Sequence, residues 1–248
     1  MVQLPDIIKY PAINLIGETC YTSLAENLNI SDTACLKLLL SKGLGIGIIL
    51  AGSIVKLPQI IKIMTARSSR GLSFESMVLE TCAFGIGLAY NLRNGNPFST
   101  FGEAFFLTIQ NIIILLLMLY YANRNRDLII TFISMIIITY SLGSTELISD
   151  SNLAFLQTLC IPLSLFSKFP QIITNYKNEG TGQLSAIATF GFTLGSLARI
   201  FTTLTEIDDN IILVGFLLAS LCNCILSGQM IYYWNVESKF LDKDKKEV

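Results

Sequence analysis

Apolar residues along the chain gather into seven long runs separated by short polar segments. The runs cover residues 36–55, 72–92, 99–121, 128–142, 153–169, 184–204 and 211–233. A helix of about 17–25 residues is needed to cross a bilayer, and most of the runs have that length. The fourth run is the shortest. The pattern therefore predicts an all-α membrane protein with seven transmembrane helices.

Composition narrows the class of function. The chain is 52% hydrophobic and only 14% charged, whereas soluble domains carry about 25% charged residues. It contains no histidine, the commonest general base and metal ligand, and its cysteines match no zinc-site spacing. Asp208 and Asp209 form an acidic pair in a loop, without the companion that a glycosyltransferase metal site needs. We therefore expect no enzyme, no metal, no cofactor and, at a net charge of −1, no nucleic-acid partner.

Basic residues occupy alternate loops and so orient the chain. They follow the first, third and fifth runs and fill the C-terminal tail, whereas residues 143–152 have none. By the positive-inside rule the basic loops face the cytosol. The N-terminus is then lumenal or extracellular and the C-terminus cytosolic. The basic residues are Lys56, Lys62, Arg67, Arg70, Arg124, Arg126, Lys168, Lys177, Lys239, Lys243, Lys245 and Lys246.

The two halves of the chain share motifs at a constant offset of 112 residues. Residues 56–61 (KLPQII) correspond to 168–173 (KFPQII). The same offset pairs Leu72-Ser73 with Leu184-Ser185, Asn111 with Asn223, and Tyr120-Tyr121 with Tyr232-Tyr233. An internal duplication explains all of these matches at one offset.

The repeat period covers three helices and predicts how the chain is divided. Residues 36–121 and 153–233 form two three-helix repeats, and residues 122–152 hold one linking helix. Residues 1–35 form a lumenal N-terminal segment and residues 234–248 a cytosolic tail. One linking helix gives both repeats the same orientation, so the prediction is a 3+1+3 arrangement of parallel repeats.

A repeated Pro-Gln pair lies at the cytosolic ends of the first and fifth runs. Pro58 and Pro170 cannot donate a backbone hydrogen bond and so free a carbonyl four residues earlier. Inside a bilayer that carbonyl needs another donor, and Gln59 and Gln171 lie close in sequence. The pair either forms a hinge in each half or simply ends a helix.

Five polar residues at membrane depth are candidates for ligand binding, because such groups are costly in lipid. Arg199 either grips a phosphate or pairs with an internal carboxylate, for which Glu80 is the expected partner. Lys42 either binds ligand or extends to the interface. Asn111 and Asn223 either converge on a central site or hold helices together.

Two further features concern the termini. Cys20 and Cys35 both lie on the predicted lumenal side, where a disulfide between them can form. Lys245 and Lys246, fourth and third from the C-terminus, look like a dilysine signal that returns membrane proteins to the endoplasmic reticulum. The alternative for these lysines is an ordinary solvated tail.

The Pro-Gln blocks resemble the PQ-loop repeat family, whose SWEET-like members are membrane transporters. Within that family, residues 36–45, 182–187, 195–202 and 220–223 resemble the members concerned with mannose-phosphate-dolichol utilization.

This resemblance implies an endoplasmic reticulum membrane factor required for lumenal use of dolichol-phosphate-mannose and dolichol-phosphate-glucose. These donors supply N-glycan precursors, GPI anchors and mannosylation. The implied partners are dolichol-phosphate sugars, membrane lipid and, as candidates, lumenal glycosyltransferases. A PQ-loop transporter of a small solute such as a sugar or amino acid is the alternative.

Overall fold

The computed structural model describes residues 5–69, 72–166, 168–181 and 185–234, and this part of the chain is helical without strands. A helix α1 and a short π-helical turn, Thr22–Glu26, precede the bundle. The helices are α1 (Asp6–Tyr21), α2 (Thr33–Ile54), α3 (Leu57–Ala66), α4 (Phe74–Arg93), α5 (Phe98–Tyr121), α6 (Asn125–Gly143), α7 (Asp150–Phe166), α8 (Phe169–Lys177), α9 (Ala186–Glu206) and α10 (Asn210–Tyr232).

Within the described residues, six helical segments are long and apolar enough to cross a membrane. They are α2 with α3, α5, α6, α7 with α8, α9 and α10. Helix α4, at the second predicted span, has 20 residues, but Glu75, Glu80 and Arg93 lower its hydropathy. The chain is therefore a multi-pass membrane protein, and the count of seven spans stays a prediction.

The two halves pack as related three-helix units. In the first, α5 packs against both α2 and α4, and in the second α10 packs against both α7 and α9. Between the halves α2 contacts α9 and α4 contacts α7, so the first helix of each half meets the second helix of the other. Helix α6 packs against α4 and α5.

Local features recur at the predicted offset. Ser73 caps α4 and Ser185 caps α9, each accepting from the backbone N–H three residues later. Tyr120 packs edge-to-face with Tyr121, and the pair at the end of α10, Tyr232 with Tyr233, does the same. These equivalent contacts are what a duplicated unit is expected to give.

The first helix of each half breaks at the repeated motif. Helix α2 ends at Ile54 and α3 begins at Leu57, while α7 ends at Phe166 and α8 begins at Phe169. Each proline lies in the first turn of the short helix, where its missing N–H costs no intrahelical bond. The prolines thus begin a new helix at both breaks.

The N-terminal segment contains a helix, α1, that the sequence analysis did not predict. A disulfide joins Cys20 at the end of α1 to Cys35 in the first turn of α2, which confirms the predicted pairing. Asp32 caps α2 by accepting from the backbone N–H of Cys35 at 3.1 Å. The hydrogen bond from Ser23, together with that cap, lowers the pKa of Asp32 below its ordinary value.

Glycines let α2 approach α5 closely. A Cβ built on Gly45 would lie 2.5 Å from the Ser99 carbonyl oxygen, and one on Gly52 would lie 2.6 Å from the Cβ of Glu103. Gly47, on the same helix, has no described atom within 4 Å of its Cβ position apart from its chain neighbours and its own helix backbone. Small residues that bring two helix backbones together are typical of membrane interfaces.

Candidate functional site

A cavity of about 280 Å³ lies between the two repeats. Helices α4 and α5 of the first half and α7 and α10 of the second form its walls. Its polar lining consists of Asn91, Thr100, Glu103, Gln157 and Ser164, among mostly apolar neighbours. We call this space the central cavity. Substrate sites of repeat-built transporters lie at such a repeat interface.

Gln157 brings an unused acceptor to the central cavity. Its Oε1 is buried and has no hydrogen-bond partner within the described part of the chain. Gly87 faces it, since a Cβ at that position would lie 3.5 Å from Oε1. A buried polar atom without a partner is costly, so a donor from a ligand or a water would stabilise it.

Arg199 forms an ion pair that joins the two repeats. Its guanidinium binds the carboxylate of Glu103 on α5 and donates to the Ser99 carbonyl at 3.0 Å. The residue is only 3% exposed, which confirms that it faces the bundle interior. The expected pairing with Glu80 was wrong, because α9 packs on α2 and α5 and so lies beside Glu103.

Lys42 of α2 and Glu206 of α9 make a second link between the two repeats. The Nζ of Lys42 lies 2.6 Å from a Glu206 carboxylate oxygen and 2.9 Å from the Ser99 hydroxyl. Ser41 and Ser99 also donate to Glu206, at 2.5 and 2.7 Å. The Lys42 side chain is 14% exposed, so here it pairs internally rather than reaching into solvent.

Glu80 belongs to a cluster at the break between α2 and α3. The Nζ of Lys56 binds both of its carboxylate oxygens, at 2.8 and 2.7 Å, and donates to Oδ1 of Asn111 at 2.6 Å. These bonds use all three donors of the ammonium group. The lysine of the first motif is therefore neutralised within its own repeat.

Gln110 satisfies the backbone at the same break. Its side-chain nitrogen donates to the carbonyls of Gly52 and Ser53, at 2.9 and 3.2 Å. Its oxygen accepts from the backbone N–H of Lys56 at 3.0 Å. The broken helix thus finds its substitute partner on α5, whereas the sequence had suggested Gln59.

The second repeat has a related but smaller cluster. The Nζ of Lys168 donates to Oδ1 of Asn223 at 2.5 Å, and Asn223 donates to the Phe192 carbonyl and to Ser196. Asn111 and Asn223 thus each bind the motif lysine of their own half. Neither lines the central cavity, where the sequence had placed a common site.

Sequence reasoning missed several residues that build these sites: Ser41, Ser99, Glu103, Gln110, Gln157 and Glu206. Glu103 lies inside a predicted span, so the criterion that selected Glu80 would also have found it. The serines and glutamines carry no such signal, because polar uncharged residues are common in membrane helices. Lys245 and Lys246 lie outside the described residues.

An apolar groove of about 630 Å³ runs between α4, α5 and α6. Its lining includes Ile86, Ile109 and Ile138, with Arg93 at one end. Helix α4 separates the groove from the central cavity, with Gly85 on the groove side and Gly87 on the cavity side. An apolar chain can lie in such a groove.

Comparison with known proteins agrees with the internal repeat. A family model described as the PQ loop repeat matches residues 40–100 and 152–212. Solute carrier family 66 member 3 of Homo sapiens is 31% identical over 180 residues, which cover 72% of this chain and 87% of that protein. No solved structure matches the chain.

Proposed function

Because the chain belongs to the PQ-loop repeat family of membrane proteins, we propose that it is a carrier of lipid-linked sugar phosphates. The cargo is dolichol-phosphate-mannose and dolichol-phosphate-glucose, moved or presented in the endoplasmic reticulum membrane for use by lumenal glycosyltransferases. The observation that carries this proposal is the central cavity between the repeats, mostly apolar with a few polar side chains, among them Gln157, whose buried Oε1 has no partner among the described residues.

The size and chemistry of the cavity favour a single sugar as the head group. Small-molecule sites start at roughly 300 Å³, and the central cavity has about 280 Å³. Asn91, Thr100 and Gln157 offer neutral hydrogen-bonding groups in its wall. Neutral donors and acceptors suit hydroxyl groups, and the volume excludes an oligosaccharide.

The apolar groove argues for a lipid-linked cargo. A free sugar needs only the cavity, whereas a dolichol-linked sugar also needs an apolar path for its tail. The groove between α4, α5 and α6 offers an apolar surface for such a tail, which α4 would have to admit by moving aside, because α4 lies between the groove and the cavity. The sequence blocks that resemble mannose-phosphate-dolichol utilization proteins support the same cargo.

Transport of a small free solute is the second candidate function. It is supported by the relative whose name is solute carrier family 66 member 3 and by the limited cavity volume. With either cargo the proposed role is that of a non-enzymatic carrier. The two candidate functions therefore differ in the substrate that is carried and not in the kind of activity.

Reconstitution in proteoliposomes separates the two candidates. We expect purified protein to accelerate the change of leaflet of labelled mannosyl-phosphate-dolichol and to leave free mannose outside. Gln157→Leu should lower this rate about tenfold, because a sugar hydroxyl loses its acceptor. Thr158→Val is the matched control, since Thr158 lies next on α7 and its hydroxyl donates to the Ala154 carbonyl of its own helix. Transport of free mannose without movement of the lipid-linked sugar would contradict the proposed cargo.

We expect the C-terminal lysines to keep the protein in the endoplasmic reticulum. Replacing Lys245 and Lys246 with alanine removes both charges that cytosolic coat proteins would read. The double variant should then move to later compartments of the secretory pathway. Microscopy of a tagged protein measures its location. Lys243→Ala is the control, because it removes one tail charge outside the signal. Unchanged location of the double variant would show that the lysines are not the retrieval signal.

A further inference from the structure

The two repeats differ at one position beside the motif lysine. Glu80 of α4 and Phe192 of α9 are equivalent at the offset of 112 residues. In the first repeat the carboxylate of Glu80 binds Lys56 with both oxygens. In the second repeat a phenylalanine stands at that position, so Lys168 has no equivalent counter-ion.

Lys168 is consequently a half-buried cation that has no carboxylate partner among the described residues. Among the residues that the structure describes, its side chain bonds only to Oδ1 of Asn223. An ammonium group has three donors, and two of them are unused within the described part of the chain. A cation removed from water without a counter-charge is unfavourable, so this position favours a bound anion.

A pocket is present where the anion would lie. It has a volume of about 310 Å³ and is lined by Lys168 together with Gln171, Ser185, Thr189, Phe192 and Asn223. None of its lining residues is acidic. Lys168 therefore gives the pocket one uncompensated positive charge, with amide and hydroxyl groups around it.

From this asymmetry we propose that the pocket around Lys168 is an anion site that binds a phosphate group of the substrate. Glu80 occupies the equivalent place in the first repeat, which explains why only the second repeat holds the site. The phosphate would accept from the two free donors of Lys168, as the carboxylate of Glu80 accepts from Lys56.

The position of the pocket agrees with a phosphate attached to the sugar. Ser164 of α7 and Ala219 of α10 line the central cavity, and Lys168 and Asn223 lie four residues further along the chain. One turn of helix advances about 5.4 Å. The sugar site and the anion site are thus consecutive along these helices. This assignment of the phosphate to the carrier's cargo rests on the proposed function.

The test measures phosphate binding directly, without sugar or transport. Purified protein in detergent is titrated with citronellyl phosphate, a short isoprenyl phosphate, and with inorganic phosphate. Citronellol, which lacks the phosphate, is the control ligand. We expect binding of citronellyl phosphate and none of citronellol. Equal binding of inorganic phosphate would identify a free-phosphate site, and binding of citronellyl phosphate alone would identify a lipid head group.

Two variants at position 192 locate the site. Phe192→Glu gives Lys168 the counter-ion that Lys56 already has, so the affinity for citronellyl phosphate should fall about tenfold or more. Phe192→Gln, with the same shape and no charge, should keep most of the affinity. Lys168→Gln should lose binding as Phe192→Glu does, and it replaces that variant if the glutamate impairs folding.

The proposal is overturned if wild-type protein does not bind citronellyl phosphate. It is also overturned if folded Phe192→Glu or Lys168→Gln binds as well as wild type. These outcomes are distinct from failure of the proposed function. Phosphate binding without movement of mannosyl-phosphate-dolichol would remove the proposed cargo and leave the anion site. Unchanged movement in a Phe192→Glu variant that no longer binds citronellyl phosphate would show that the anion site does not hold the phosphate of the cargo, and would leave the carrier.

Discussion

Replacing Arg199 with methionine is expected to destabilise the folded protein by about 3–5 kcal/mol, because it leaves the Glu103 carboxylate buried without its partner. The Arg199 side chain is 4% exposed and that of Glu103 19%, so water can do little to replace the pair. The same change removes the bond from α9 to the Ser99 carbonyl. Unfolding in mixed micelles of increasing SDS content measures the loss.

Two further variants show whether the buried charge is the cause. Arg199→Met combined with Glu103→Gln removes both charges and should recover most of the lost stability. Arg124→Met breaks an ion pair with Asp127 whose side chains are 59% and 40% exposed, and should cost at most about 1 kcal/mol. If Arg199→Met is no worse than Arg124→Met, the pair between α5 and α9 does not stabilise the fold.

Gly52→Ala is expected to lower stability by about 1–3 kcal/mol. The new methyl group would lie 2.6 Å from the Cβ and 3.1 Å from the Cα of Glu103. Neither atom can be moved by a change of side-chain rotamer, so α5 itself must move away from α2. Because Glu103 lines the central cavity, the same shift should also reduce movement of the lipid-linked sugar. The measurements are SDS unfolding and proteoliposome transport.

Gly47→Ala is the matched control on the same helix. Apart from its chain neighbours and its own helix backbone, no described atom lies within 4 Å of its Cβ position, so the methyl group meets no neighbouring helix. Alanine also favours helix over glycine by about 0.8–1.0 kcal/mol in water. Stability should therefore stay the same or rise. Equal losses at both glycines would mean that close packing of α2 on α5 is not what Gly52 provides.

The sequence was most informative where the two halves could be compared. The offset of 112 residues made Lys56 equivalent to Lys168 and Asn111 equivalent to Asn223, and in the structure each lysine bonds its asparagine. Hydropathy located most of the helices because lipid offers no hydrogen-bond partners. Each apolar run must therefore bond its own backbone N–H and C=O groups, and it does so as a helix.

The partners of the charged residues could not be predicted, because they depend on which helices are neighbours. Arg199 pairs with Glu103 since α9 lies against α5, and no local pattern encodes that contact. Glu80 was assigned to Arg199 from repeat symmetry alone, yet it binds Lys56 across the α2 break. Helix α1 was missed because Pro11 and Gly17 interrupt an otherwise weakly apolar segment.

The amide of Gln110 has a consequence for how the two halves can bend. It holds both sides of the break between α2 and α3 to α5, through two carbonyls and one N–H. Cys222 occupies the equivalent position on α10, and a thiol is too short and too weak a donor to hold three backbone groups. In the second half Gln229 binds the Ile172 carbonyl within α8, and Lys168 at the start of α8 binds Asn223 of α10. The break in the first half is therefore clamped on both sides by one side chain, so α2, α3 and α5 should move as a single body.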